Sequence, residues 1–137
     1  MAREGELYQD QSISEDAWLL RRIHPTEHLT QGKFDKSKRR LSSGAFNDSS
    51  DDSGMSVHLE STIVEQRGSP ERALDDYPDH YLVRFRASLA MNLKMKFVRR
   101  EGDTSGHVFV VGKKTGGVCN SFRDNCEWVV KPPDLEE

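Results

Sequence analysis

The chain has 137 residues and a mass of 15.6 kDa, room for one domain, since single cores occupy about 100 to 200 residues. Charged residues make up 31%, but 20 Lys+Arg against 23 Asp+Glu leave a formal charge of only -3, which excludes both a histone-like polycation and a polyanion. No run of about 18 apolar residues occurs and no apolar h-region follows Met1-Ala2-Arg3, so the expectation is a soluble cytoplasmic protein without a membrane partner.

The charge is laid out in blocks: residues 1–20 carry -4, 21–46 carry +5, 47–82 carry -7, 83–123 carry +7 and 124–137 carry -4. Alternating blocks either neutralise one another inside a compact fold or stand as separate faces. Mutual neutralisation on a solvated surface is the simpler expectation.

Residues 1–14 are polar, follow neither period, and are expected to form a mobile arm. Ser14-Glu15-Asp16 has the composition of a helix cap, and Trp18 to Ile23 reads as a strand bounded by Pro25. Thr26-Glu27-His28-Leu29 is expected to turn and to end at Gly32. From Lys33 to Gly54 the chain is rich in Lys, Ser, Asp and Gly, a long polar loop whose part 47–54 is the most disorder-like stretch.

Met55-Ser56-Val57-His58-Leu59-Glu60 alternates with period 2, with Met55, Val57 and Leu59 facing inward and Ser56, His58 and Glu60 outward. Pro70 to Leu74 fits one helical turn, capped by Ser69 with Pro70 at its first position. Tyr81 to Ala87 and Leu93 to Val98 alternate as strands, and His107 to Gly112 is apolar and β-branched enough for a central strand. Val118, Phe122 and Cys126 fall at i, i+4 and i+8, the stripe of an amphipathic helix. Trp128-Val129-Val130 closes the chain as a strand. The expected architecture is a single α+β domain over 15–131: a small, mostly antiparallel sheet of four to six strands, one main C-terminal amphipathic helix and the long polar loop, with 132–137 as an acidic tail.

Two basic turns suggest an anion-binding surface. Gly112-Lys113-Lys114-Thr115-Gly116-Gly117 lies between the best strand and the best helix, where free backbone N–H groups receive anions. Its spacing departs from a nucleotide P-loop, because His107 stands where the first glycine is needed. Lys38-Arg39-Arg40-Leu41-Ser42-Ser43-Gly44-Ala45-Phe46 joins bases, hydroxyls and an aromatic anchor, a set suited to a phosphorylated ligand. The expected surface therefore consists of Arg39, Arg40, Ser42, Ser43, Lys113 and Lys114, brought together in space.

Other chemistries have less behind them. His24 and His28 have the i, i+4 spacing of a helical zinc pair, but Pro25 intervenes and the H-E-x-x-H glutamate is missing, so no metal site is assigned. Cys119 and Cys126, at C-x6-C spacing, fit neither a disulfide scaffold nor a zinc knuckle, and lie on or near the apolar helix stripe, where buried thiols are common. Arg84, Arg86, Lys94 and Lys96 would form a basic plate for nucleic acid if they share a sheet face. No cofactor is implied.

The blocks Leu19-Leu20-Arg21-Arg22-Ile23-His24-Pro25, Arg39 to Phe46, Met55-Ser56-Val57 and His107 to Thr115 resemble a family of small uncharacterised bacterial proteins. That resemblance implies a bacterial or phage origin and no activity. The chain also resembles ADP-ribosyltransferase-type folds, in which an early Arg or His, a later Ser and a late glutamate surround a nicotinamide-ribose. The resemblance offers Arg22 or His24 for the first part and Ser42 or Ser43 for the second, while Glu101 and Glu127 carry no recognisable motif.

Together these features predict an accessory module that binds a phosphorylated or other anionic ligand, or a protein partner. Whether it is an enzyme stays open. The alternatives are a nucleotide-acting enzyme with Arg22, His24 and Ser43 at its pocket, and a nucleic-acid-binding module.

Overall fold

A computed structural model describes residues 5–32, 34–48 and 54–135. They form a mixed α/β domain, mostly antiparallel, with nine strands and three α-helices among the described residues. In chain order these are β1 (Leu7–Gln9), β2 (Trp18–Ile23), β3 (Leu29–Gln31), β4 (Arg39–Leu41), β5 (Met55–Leu59), α1 (Glu60–Arg67), β6 (Tyr81–Arg86), α2 (Ala87–Asn92), β7 (Lys96–Arg100), β8 (His107–Val111), α3 (Gly116–Asn125) and β9 (Glu127–Val130). Seven strands make one sheet in the order β1-β7-β8-β5-β2-β6-β9, and β3 with β4 forms a separate hairpin.

Period-2 alternation divides the sheet into two faces. Leu19 and Ile23 of β2, Met55 and Val57 of β5, Val83 and Phe85 of β6, Phe97 of β7 and Val108 and Val110 of β8 belong to one buried core with Phe46 and Phe122. Phe122 of α3 stacks on Phe46 with ring centroids 5.7 Å apart and meets Phe85 at 4.9 Å. Burying a side chain of this size contributes about 1.5–3 kcal/mol, so α3 and the 3₁₀ turn Ser43–Phe46 fasten each other to the sheet. The opposite face carries a smaller core of Leu20, Leu82, Ile63, Ala73 and Leu74, covered by α1 and the 3₁₀ turn Pro70–Leu74. Beyond that cover the same face presents Arg22, Ser56, His58 and His107.

The sheet is unevenly knitted. β2 pairs with β6 over six residue pairs, Trp18↔Arg86 to Ile23↔Tyr81. With β5 it pairs over two, Leu19↔Leu59 and Leu20↔His58. Past those two pairs β2 and β5 diverge, and the guanidinium of Arg21 fills the gap, donating from Nε to the carbonyl of Ala45 (2.9 Å) and from an Nη to that of Ser56 (2.8 Å).

Several regions differ from the sequence expectation. The polar start is not free throughout: β1 lies antiparallel to β7, with Leu7 opposite Arg100 and Gln9 opposite Val98. Its sequence has no clear period because an edge strand of three residues needs none. The long loop contains β4 and a 3₁₀ turn whose Ala45 and Phe46 are fully buried. The disorder-like stretch 47–54 lies largely outside the described residues. The tail returns to the domain, where Arg39 N donates to Asp134 O at 2.9 Å. α1 and α2 were not apparent in the sequence. α1 is short, is rich in β-branched residues, and stops at Gly68, whose φ of 98° ends the last turn.

Candidate functional site

Where β2 and β5 part, two hollows open side by side. One, of about 190 Å³, is lined by Arg21, Arg22, His24, Glu27, His28 and His80 together with Ser56, His58 and Tyr77. The other, of about 360 Å³, is lined by Asp76, Asp103, Ser105 and His107 and shares Arg22, Ser56, His58 and Tyr77 with the first. The shared residues make them one cleft, and all five histidines of the chain line it.

Local geometry fixes these side chains. His58 on β5 lies directly opposite His107 on β8, so their rings stand side by side with centroids 5.2 Å apart. Ser56 Oγ lies 2.5 Å from His107 Nε2, and His107 Nδ1 lies 4.0 Å from Asp103 Oδ2. Asp103 is held by Ser105, whose amide and hydroxyl donate to Oδ1 at 2.8 and 2.6 Å. The turn carrying them packs against α1 through Gly106, which has φ of +85° and whose Cβ would stand 2.7 Å from Thr62. Any larger residue there meets both left-handed strain and a clash. On the other side, the Nδ1 of His24 accepts the amides of Thr26 (3.2 Å) and Glu27 (3.1 Å), and the Nδ1 of His28 accepts the amide of His24 (3.0 Å). Both imidazoles are thereby set in the tautomer that offers Nε2–H as a donor.

Arg22 stands between the hollows. Its Nε donates to the carbonyl of Ala73 at 2.9 Å and its guanidinium lies 4.2 Å over the ring of Tyr77. Its two Nη groups have no partner among the described residues. Among the described residues neither Arg21 nor Arg22 forms a close ion pair, the carboxylates of Asp48 and Asp76 acting on them only from a distance. Burial pulls the Arg21 pKa down to about 10, with Arg22 adding to the effect, and lowers that of Arg22. Burial, helped by Arg22, pushes His58 down to about 3, and burial with the nearby Arg21 pushes His28 down to about 4. His107 is also lowered, mainly by burial, with Asp103 opposing. His28, His58 and His107 are therefore neutral at pH 7, and Arg21 and Arg22 carry fixed positive charge in the cleft.

Of the residues expected to form the anion surface, the structure brings the two turns together but engages several of their side chains within the chain. The 3₁₀ turn after Ser42 and the lysine turn before α3 are neighbours, joined by Lys114 to Asp48 at 2.8 Å and by Cys119 Sγ to Asn47 Oδ1 at 3.4 Å. Yet Lys114 spends all three donors on Asp48 and the carbonyls of Val110 and Gly112. Arg39 makes a forked pair with Asp134 at 2.8 and 2.7 Å and also reaches Pro25 O; that hydrogen-bonded pair raises its pKa. Ser42 caps its own turn, accepting from Gly44 N at 3.1 Å. Arg40 and Lys113 are exposed and unpaired among the described residues, and Ser43 opens the 3₁₀ turn.

Of the alternative set Arg22, His24 and Ser43, the first two line the cleft and Ser43 does not; the serines there are Ser56 and Ser105. Glu101 and Glu127 are not among the lining residues, and Glu27 is the glutamate that is. Arg84 and Arg86 on β6 are separated from Lys96 on β7 by three strands, roughly 19 Å at about 4.8 Å per strand. Trp18 lies under both arginines, 4.1 and 3.7 Å from its ring centroid, and Arg84 is bound to Glu60 at 2.9 Å. Cys119 is buried in the core on the face opposite His107, and burial raises its pKa. A third hollow of about 200 Å³, between β1 and α2, is lined by Asp10, Lys96 and Met91 among others and holds no paired nucleophile and base.

Sequence reasoning missed Ser56, His58, His107, Tyr77, His80 and Arg21 as one group. A signal existed for two of them, since alternation already placed Ser56 and His58 together on the face opposite Met55 and Val57. No group of three or more His, Cys, Asp or Glu among the described residues is arranged to hold a metal ion, and none of their helices is long and apolar enough to cross a membrane. Comparison of the chain with known protein families, curated proteins and solved structures found no match.

Proposed function

We propose that the protein binds a phosphate-bearing small molecule in the cleft between β2 and β5. The observation that carries this reading is the absence of any carboxylate ion pair on Arg21 or Arg22 among the described residues, while Arg39, Arg84, Arg99 and Lys114 each have one. Desolvated cations are costly unless an anion compensates them. A ligand phosphate on the free Nη groups of Arg22 supplies that compensation through a forked, charge-assisted geometry. The Nε2–H groups of His24 and His28 and the hydroxyl of Ser56 add neutral donors. Calorimetric titration with inorganic phosphate and pyrophosphate tests it: binding is expected for the native chain and is weakened at least tenfold in Arg22→Ala, since a hydrogen bond to a charged group contributes about 1.5–3 kcal/mol. Equal affinity in the variant rules the cleft out.

One contact favours a second reading, in which the cleft acts on a nucleotide. Ser56 Oγ and His107 Nε2 are within hydrogen-bond reach, the pairing in which a neutral imidazole takes a proton from a nucleophilic hydroxyl. Release of nicotinamide from a nicotinamide dinucleotide, abolished by Ser56→Ala, supports it; no turnover by the native chain removes it and leaves the binding reading intact.

A further inference from the structure

The two halves of the cleft differ in charge. The smaller hollow has Arg21 and Arg22 against the single carboxylate of Glu27, whereas the larger has Arg22 against both Asp76 and Asp103. A phosphate is attracted to the first and repelled by the second. Ser105 holds the Asp103 carboxyl below the usual carboxylate range, so at neutral pH it is an acceptor only. Its Oδ1 is taken by Ser105, while Oδ2 is left with His107 Nδ1 at 4.0 Å, too long for a hydrogen bond. Asp76 makes no hydrogen bond or close ion pair among the described residues, its charge being felt by Arg22 across the hollow. The larger hollow thus displays carboxylate acceptors wanting donors, beside a Ser56–His107 pair that both donates and accepts. Carbon-bound hydroxyl groups match that set; a second phosphate or an apolar group does not.

We infer that the ligand is a phosphorylated sugar, with its phosphate at the Arg21–Arg22 hollow and its hydroxyls at the Asp76–Asp103 hollow. This rests on the anion reading above and adds the identity of the part that is not phosphate. The sugar phosphate is either free or part of a nucleotide.

Titration with inorganic phosphate, ribose 5-phosphate and adenosine 5′-phosphate tests it, using the native chain and Asp103→Asn, whose amide oxygen still accepts from Ser105. Ribose 5-phosphate is expected to bind at least about tenfold tighter than inorganic phosphate, the worth of one or two hydrogen bonds. Asp103→Asn, checked for an unchanged melting temperature, is expected to lose that gain without weakening the binding of inorganic phosphate, which the lost negative charge can only favour. Adenosine 5′-phosphate binding tighter than ribose 5-phosphate assigns the sugar to a nucleotide, and weaker binding assigns it to a free sugar phosphate. Equal affinity for inorganic phosphate and ribose 5-phosphate overturns the inference and leaves the anion reading standing. Failure of all three to bind removes both.

Discussion

On one face of the seven-stranded sheet the alternate side chains of β2, β5, β6 and β8 are Leu19, Met55, Val57, Val83, Phe85, Val108 and Val110, all buried under α3 and the 3₁₀ turn at Phe46. On the other face the same strands offer Leu20 and Leu82 to a small core, then Arg22, Ser56, His58 and His107 to a cleft. Both faces have the same backbone geometry. They differ in what satisfies the side chains: neighbours within the chain on the first, and on the second a ligand that the cleft is proposed to take. The cations divide in the same way. Arg39, Arg84, Arg99 and Lys114 each join a positive block of the sequence to a negative one, through Asp134, Glu60, Asp10 and Asp48, whereas Arg21 and Arg22 meet carbonyls and a tyrosine ring. Most of the charge blocks therefore neutralise one another, and the exception coincides with the proposed site.

The largest effect is expected on the apolar face. Phe122→Ala removes the ring between Phe46 and Phe85 and should cost about 3–5 kcal/mol in denaturant unfolding, while the folded fraction keeps the phosphate affinity of the native chain. Loss of affinity at equal folded fraction would show that the two faces are not separable. Next is the contrast between two arginines. Arg22→Ala should lose phosphate binding, whereas Arg84→Ala should leave it unchanged and lower stability by about 1–2 kcal/mol, through its hydrogen bond to Glu60 and its stacking on Trp18. The reverse pattern would overturn the division of cations.

Acid should act through the cleft first. His58 and His28 have folded pKa values of about 3 and about 4 against an ordinary 6.5, so between those values the unfolded chain binds more protons than the folded one. Stability is then complete above about pH 6.5 and falls as the pH drops toward 4, with a limiting slope of about 1.4 kcal/mol per pH unit for each histidine. Asp103, whose pKa is also lowered, acts in the same direction but in a more acid window: its contribution is present above its ordinary value of 3.8 and is lost only at lower pH. Melting temperatures between pH 7 and 4.5 should therefore drop for the native chain and drop less for His58→Gln; parallel curves would place the loss elsewhere. The smallest effect is at Arg72, whose pair with Asp75 at 3.2 Å is exposed. Arg72→Ala should change stability by less than about 1 kcal/mol and binding not at all.

Much of this arrangement could be read from residues. The alternation in Met55 to Leu59 and Tyr81 to Arg86 gave strand identity and facing, because period 2 is a local property of the chain. The mixed, mostly antiparallel architecture followed from those runs. α1 was hidden because Ser61, Thr62, Ile63 and Val64 are poor helix formers by themselves, and its existence depends on Ile63 reaching Leu20 and Leu82 across the sheet. The basic turns were visible as sequence, but their occupancy was not: that Asp134 closes on Arg39 across 95 positions is set by tertiary folding alone. The same limit applies to the cleft. Arg22 and His24 stood out in the Leu19 to Pro25 block, yet Tyr77 and His80 reach them from a turn more than fifty residues away, and nothing local announces that approach.

The two residue pairs joining β2 to β5 have a mechanical consequence. They form a seam between a four-strand panel, β1-β7-β8-β5, and a three-strand panel, β2-β6-β9, and it is held by far fewer ladder bonds than either panel holds within itself. A molecule gripping Arg22 on one panel and Ser56 or His107 on the other would rivet that seam, so its first signature should be slower amide exchange along the facing edges of β2 and β5, ahead of any change in the hydrophobic interior.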